Sequence, residues 1–164
     1  MNKYLVALSM IGSLLAVGCD DKQSPPKEFI HQTVGEIKEE VNATGTITDA
    51  QAEILSTVEW GTSLGRVEYI TLNDLITITD AQAEILSKVD QLYLGGLTSI
   101  TDAQAESLSK VDTLYLGGLT SITDAQAENL SKVDTLCLDG LTSITNEQAE
   151  SLSRVSWLEL DGLK

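Results

Sequence analysis

The sequence predicts an α/β solenoid. Near-identical units stack so that each adds one short strand to a parallel sheet and one short helix to the opposite side, and a separate helix precedes the array. Three observations predict it. Asp80, Asp102 and Asp124 recur every 22 positions, and Asn146 stands at the next interval. The blocks Leu97–Gly118 and Leu119–Gly140 differ only at Ser107/Asn129, Tyr115/Cys137 and Gly117/Asp139. Within each block the apolar spacing changes from two residues to three, so strand gives way to helix. Self-similarity with a period in the twenties marks units that cannot bury their apolar face alone and must stack.

Composition narrows the function. The chain has 164 residues, ten Lys and Arg against 25 Asp and Glu, a formal charge of −15, one His, two Cys and two Pro. Nucleic acid is excluded as a partner, since neutralising phosphates takes clustered Lys and Arg. One His and two Cys are too few for a His/Cys zinc site of about four ligands, and two Cys do not make a disulfide scaffold. An apolar content of 42 % is too high for a wholly disordered acidic chain.

Residues 1–18 read as an export signal. Lys3 supplies a basic start, and Leu5–Val17 is apolar apart from Ser9, Gly12 and Ser13. That run fits the roughly 7–15 residues of a secretory core and falls short of the ~20 that span a bilayer. It ends Ala16-Val17-Gly18-Cys19, which resembles the lipobox of bacterial lipoproteins, although Ala16 stands where that family most often has Leu. The resemblance implies cleavage after Gly18 and lipidation of Cys19 by a diacylglyceryl group and an amide-linked acyl chain such as palmitate. Several chains hold a protein to a membrane where one is marginal. The alternative is an ordinary signal peptide with an incidental Cys19. Asp20 resembles the inner-membrane retention signal of enterobacterial lipoproteins. The expected address is therefore the bacterial cell envelope, facing the periplasm, with the outer membrane or cell surface as the alternative.

Residues 19–27 carry both prolines, Pro25 and Pro26, in a polar stretch and read as a tether. Residues 28–44 read as an amphipathic helix, with Ile30, Val34, Ile37 and Val41 on one face. Gly35 and the β-branched residues weaken it in isolation, so a cap on the next domain is expected in preference to a coiled-coil partner site. His31 lies beside the apolar stripe with no second ligand in view.

Residues 45–164 hold about five units, the first degenerate and interrupted by an insertion at Thr57–Gly65. In one unit, Leu114 and Leu116 alternate with Thr113 and Tyr115 as a strand, and Gly117-Gly118 ends it. Leu119 and Ile122 plug the following bend. Thr123-Asp124-Ala125-Gln126 has the form of a capping box, with Asp124 in the first turn where the helix dipole favours it. Ala127, Leu130 and Val133 then line one inward stripe.

The pattern Val111-x-x-Leu114-x-Leu116-x-x-Leu119-x-x-Ile122 resembles a leucine-rich repeat, in particular the 22–23-residue class of bacterial surface proteins. Leu97, Leu119 and Leu141 fill the position of that family's ladder Asn, and Glu106 and Glu128 stand where it tends to have Phe. The resemblance covers about residues 45–164. It implies a right-handed coil with the parallel sheet on a concave face that binds partners, and short helices on the convex face.

Stacking converts repeat positions into columns. Glu68, Asp90, Asp112, Asp134 and Ser156 form one exposed strand column. Tyr69, Gln91, Thr113, Thr135 and Trp157 form the next, and Thr71, Tyr93, Tyr115, Cys137 and Glu159 a third. The candidate partner-binding residues are Tyr69, Tyr93, Tyr115 and Trp157, which would anchor an interface, with Asp90, Asp112 and Asp134 beside them. A calcium site on the Asp column is not expected, because one carboxylate per strand falls short of six to eight oxygens, and Lys88, Lys110, Lys132 and Arg154 form a neighbouring column that can offset the repulsion. No metal or cofactor is expected. Cys137 reads as a free surface thiol.

Catalysis finds no support. A nucleophile needs a base beside it, and the one His lies outside the array. The Gly-Gly pairs lack the Lys-Ser/Thr of a phosphate loop. The functional expectation is a membrane-anchored envelope lipoprotein whose array binds an unidentified protein partner. A spacer with no discrete ligand is the alternative. The last unit has no closing polar helix after Leu163-Lys164, which also allows self-association through that end.

Overall fold

A computed structural model describes residues 27–57 and 69–164, the side chains of 27–33 excepted. The export signal, Cys19, all of the expected tether but Lys27, and all of the insertion but Thr57 lie outside the described residues. So do Glu68 and the side chains of Ile30 and His31.

The described chain runs α1 (Lys27–Thr44), α2 (Asp49–Thr57), β1 (Tyr69–Thr71), α3 (Asp80–Leu86), β2 (Gln91–Tyr93), α4 (Asp102–Leu108), β3 (Thr113–Tyr115), α5 (Asp124–Leu130), β4 (Thr135–Cys137), α6 (Asn146–Leu152) and β5 (Trp157–Glu159). The strands form one parallel sheet in the order β1-β2-β3-β4-β5. This is an α/β repeat arrangement, with each strand beside the strand of the next unit.

The register follows the 22-residue period. Ile70, Leu92, Leu114, Leu136 and Leu158 are successive partners across the sheet. The ladder extends past the three-residue strands, since Leu94 N–H donates to the Tyr115 carbonyl at 2.8 Å and Thr113 N–H to the Asp90 carbonyl at 3.1 Å. Leu92, Leu94, Leu97, Leu114, Leu116, Leu119, Leu136, Leu138 and Leu141 are fully buried. Each stabilises the fold by about 1.5–3 kcal/mol relative to an exposed side chain. The helices complete the core with Ala83, Ala105, Ala127, Leu86, Leu108 and Leu130.

Each helix from α3 to α6 starts with a complete capping box. In α5 the Thr123 hydroxyl accepts from Gln126 N–H, while Gln126 Oε1 accepts from Thr123 N–H at 2.9 Å. The same Gln reaches the unit before it. Gln82, Gln104, Gln126 and Gln148 are buried, and their Nε2 groups donate to the carbonyls of Ile47, Ile78, Ile100 and Ile122 at 2.8–2.9 Å. One side chain therefore caps its own helix and satisfies a carbonyl in its neighbour.

Among the described residues, no earlier unit offers Gln51 such a carbonyl. Gln51 Nε2 donates instead to Glu40 Oε2 on α1 at 2.8 Å. Val34, Ile37 and Val41 of α1 are buried in the common core, so α1 closes this end of the array as a cap. It terminates at Gly45, whose φ of +67° lies in the left-handed region that glycine adopts without a Cβ clash. The Gly45 carbonyl accepts from Ile76 N–H at 2.9 Å, which ties the cap to the turn after β1.

Candidate interaction face

The strands are three residues long, so each points its central side chain into the core and its two flanking side chains to the open face. Parallel pairing in register sets corresponding side chains about 4.8 Å apart across the sheet. Tyr93 and Tyr115 are register partners, and their rings stack with centroids 4.2 Å apart and planes inclined by 13°. Such a pair is worth about 0.5–1.5 kcal/mol beyond its buried area. Burial, and then the neighbouring Tyr93, push the Tyr115 hydroxyl above its ordinary pKa.

The other two aromatics lie elsewhere. Tyr69 on β1 and Trp157 on β5 are 58 % and 68 % exposed. They occupy opposite edges of the sheet, roughly 19 Å apart at four strand spacings. The structure thus brings two of the four expected anchors into contact and sets the others at the margins. Gln91 fills the position between Tyr69 and Thr113, and Tyr93 donates its hydroxyl toward Gln91 Oε1 at 3.4 Å.

Asp90, Asp112 and Asp134 precede the strands. Their carbonyls accept from the N–H groups of Thr113, Thr135 and Trp157 in the following strands. The Asp112 and Asp134 side chains are exposed and that of Asp90 is half-buried. Two residues of the neighbouring basic column contact helix residues. Lys88 reaches Glu53 on α2 at 3.4 Å, and Lys132 donates to Asn129 Oδ1 on α5 at 2.8 Å. Lys88 and Lys132 thus reach toward the helices.

Cys137 departs from its expected surface position. It is 4 % exposed. Its short side chain sits in the column between the longer Tyr115 and Glu159, its register partners on either side. Its Sγ donates to Asp139 Oδ2 at 3.0 Å. Burial, and then the hydrogen bond to Asp139, push the thiol up to about 12. A raised thiol pKa favours the folded state below the ordinary range near 9, and that contribution is lost as pH climbs through the folded value.

Cys137, Asp139 and Glu159 offer three ligand atoms within 4.8 Å of one another. Counting one carboxylate per strand missed this cluster, because it draws on two adjacent units and on the turn after β4. A signal was present in the sequence, since Cys137 and Asp139 are two of the three differences between otherwise identical blocks.

No protein-family model, curated protein or solved structure matches this chain. Among the described residues, no helix is long and apolar enough to cross a membrane.

Proposed function

We propose that this chain is a membrane-anchored lipoprotein of the bacterial cell envelope. On this reading the array is a leucine-rich-repeat solenoid, and its strand side is a concave face that holds a protein partner. The observation that carries the reading is the stacked Tyr93–Tyr115 pair, half-buried on a sheet face flanked by Asp112 and Asp134. Aromatic anchors ringed by polar groups are the usual centre of an interface. With a net charge of −15, and with Asp112 and Asp134 exposed beside the tyrosines, the face suits a segment rich in Lys or Arg.

Replacing both Tyr93 and Tyr115 with Ala tests the face. The double variant is expected to fold, because the inward leucines are untouched. It is expected to lose at least about thirty-fold in partner affinity, the scale of a hot-spot residue. Cross-linking and pull-down from the native envelope, compared with the unaltered chain at low and high salt, reads this. Equal recovery by the double variant would place the interaction elsewhere.

The anchor rests on the Gly18-Cys19 junction after an apolar run. Cys19→Ser is expected to block processing and shift the protein from the membrane to the soluble fraction. Unaltered partitioning and processing would remove the lipoprotein reading.

A further inference from the structure

The geometry points to a binding site for a thiophilic divalent cation of the zinc type, formed by Cys137, Asp139 and Glu159. The fold brings the three together by simple means. Cys137 and Glu159 are register partners at the ends of β4 and β5. Asp139 follows Cys137 by two residues in the turn, where its Oδ1 accepts from Asp161 N–H at 3.3 Å. Its Oδ2 is left facing the Cys137 thiol at 3.0 Å. A tetrahedral zinc ion, bound at about 2.3 Å to sulfur and about 2.1 Å to oxygen, needs sulfur and oxygen about 3.6 Å apart and two oxygens about 3.4 Å apart. Ligand atoms within 4.8 Å of one another reach that arrangement by small side-chain rotations.

The ligand types select the class of metal. Calcium and magnesium take oxygens, six or more of them, and have no use for a thiolate. One sulfur and two carboxylates suit zinc and its softer congeners, with a fourth position open to water. Binding replaces the thiol proton by the metal: the S–H bond breaks, the S–metal bond forms, and the proton goes to solvent. The divalent cation offsets the negative charge that the thiolate and two carboxylates then carry.

The repeats supply an argument independent of distance. The units Leu97–Gly118 and Leu119–Gly140 differ at three positions, and two of these changes, Tyr115/Cys137 and Gly117/Asp139, converge on this one place. The next unit then carries Glu159 in the column that holds Tyr93 and Tyr115 earlier. Two of the three differences between these units therefore combine with Glu159 of the next unit to assemble three ligands at one place.

The same self-similarity supplies the control. Cys137→Tyr with Asp139→Gly restores the residues of the preceding unit, which the fold already accommodates. In the full chain carrying Cys19→Ser, Cys137 is the one thiol. Titrating that protein with Co²⁺ and Cd²⁺ is expected to give a thiolate-to-metal charge-transfer band that saturates at one ion per chain. Zn²⁺ should displace the Co²⁺ and abolish its band, and Ca²⁺ should leave it. The band should vanish in Cys137→Tyr/Asp139→Gly, and Glu159→Gln should weaken binding at least about ten-fold. Absence of a saturable band, or equal retention of Zn²⁺ by the restored double variant in equilibrium dialysis, would overturn the site.

Discussion

Gly118→Ala is expected to destabilise the fold by about 3 kcal/mol or more, while Gly117→Ala beside it changes stability by less than about 1 kcal/mol. The contrast comes from how closely successive turns approach. A Cβ at Gly118 would lie 2.5 Å from the Gly95 carbonyl oxygen and 2.6 Å from that of Leu97. Both atoms are backbone of the turn 21–23 residues earlier, and neither can rotate away as a side chain would. Inserting one methyl into a well-packed interior already costs about 1–3 kcal/mol when side chains can yield. Here the sheet ladder and the turn must separate, so the upper end and beyond is expected. A Cβ at Gly117 meets nothing within 4 Å. Its φ is not positive either, since Gly45 is the one positive-φ glycine among the described residues, so Ala there reduces unfolded-state entropy without a clash. Denaturant midpoints of the two variants, with the slope checked for constancy, measure this. Coincident midpoints would show that inter-unit approach does not require glycine.

The same close approach explains a pattern visible in the sequence but not interpretable from it. Gly96, Gly118, Gly140 and Gly162 recur at 22-residue spacing, and each would press a Cβ on carbonyls of the turn one period earlier. The corresponding position of the earliest described strand unit is Asp74, which is exposed. No described strand precedes β1; the chain beside Asp74 is the Gly45 turn at the end of α1, not the turn of an earlier strand. Read from sequence alone, the second glycine only ends a strand; its necessity lies between units.

That distinction separates what was legible from what was not. Features that close within one unit were readable: the alternation of Leu114 and Leu116 with Thr113 and Tyr115, the Thr123–Gln126 capping box, and the inward stripe of Ala127, Leu130 and Val133. Each repeats a local periodicity, and repetition raises the signal. Features that depend on the offset between units were not. Gln126 was identified as a cap, yet its second bond, to the Ile100 carbonyl, needs the position of the neighbouring unit. Lys88 stands two residues before Asp90 but serves Glu53 across the helices. Cys137 shares a column with half-buried tyrosines, but side-chain length decides depth, and a thiol between Tyr115 and Glu159 falls below the surface that they make. The face itself was legible as columns. The stacking of Tyr93 on Tyr115, and the separation of Tyr69 from Trp157, came only with the register.

Gln82→Glu is the isosteric substitution expected to be most damaging, at about 3–5 kcal/mol near neutral pH, because the glutamine ladder joins the units through buried donors. Gln82 is 6 % exposed. Its Oε1 accepts from Thr79 N–H at 3.0 Å, and its Nε2 donates to both the Ile47 carbonyl and Asp49 Oδ1 at 2.8 Å. A carboxylate in its place keeps the first bond and turns the other two into repulsions, one against a carbonyl and one against a carboxylate. An uncompensated buried charge costs about 3–5 kcal/mol, and the Ile47 carbonyl loses a partner that water cannot readily replace. The new carboxyl must then bind its proton more tightly in the folded than in the unfolded state. By linkage, the variant regains stability as pH falls, since the protonated group can donate one bond, and loses it as pH rises through the raised folded pKa. Denaturation of the unaltered chain and the variant across the acidic-to-neutral range reads this as a stability gap that narrows toward low pH. A gap independent of pH would mean that lost packing, and not the direction of a buried hydrogen bond, is what the glutamine column contributes.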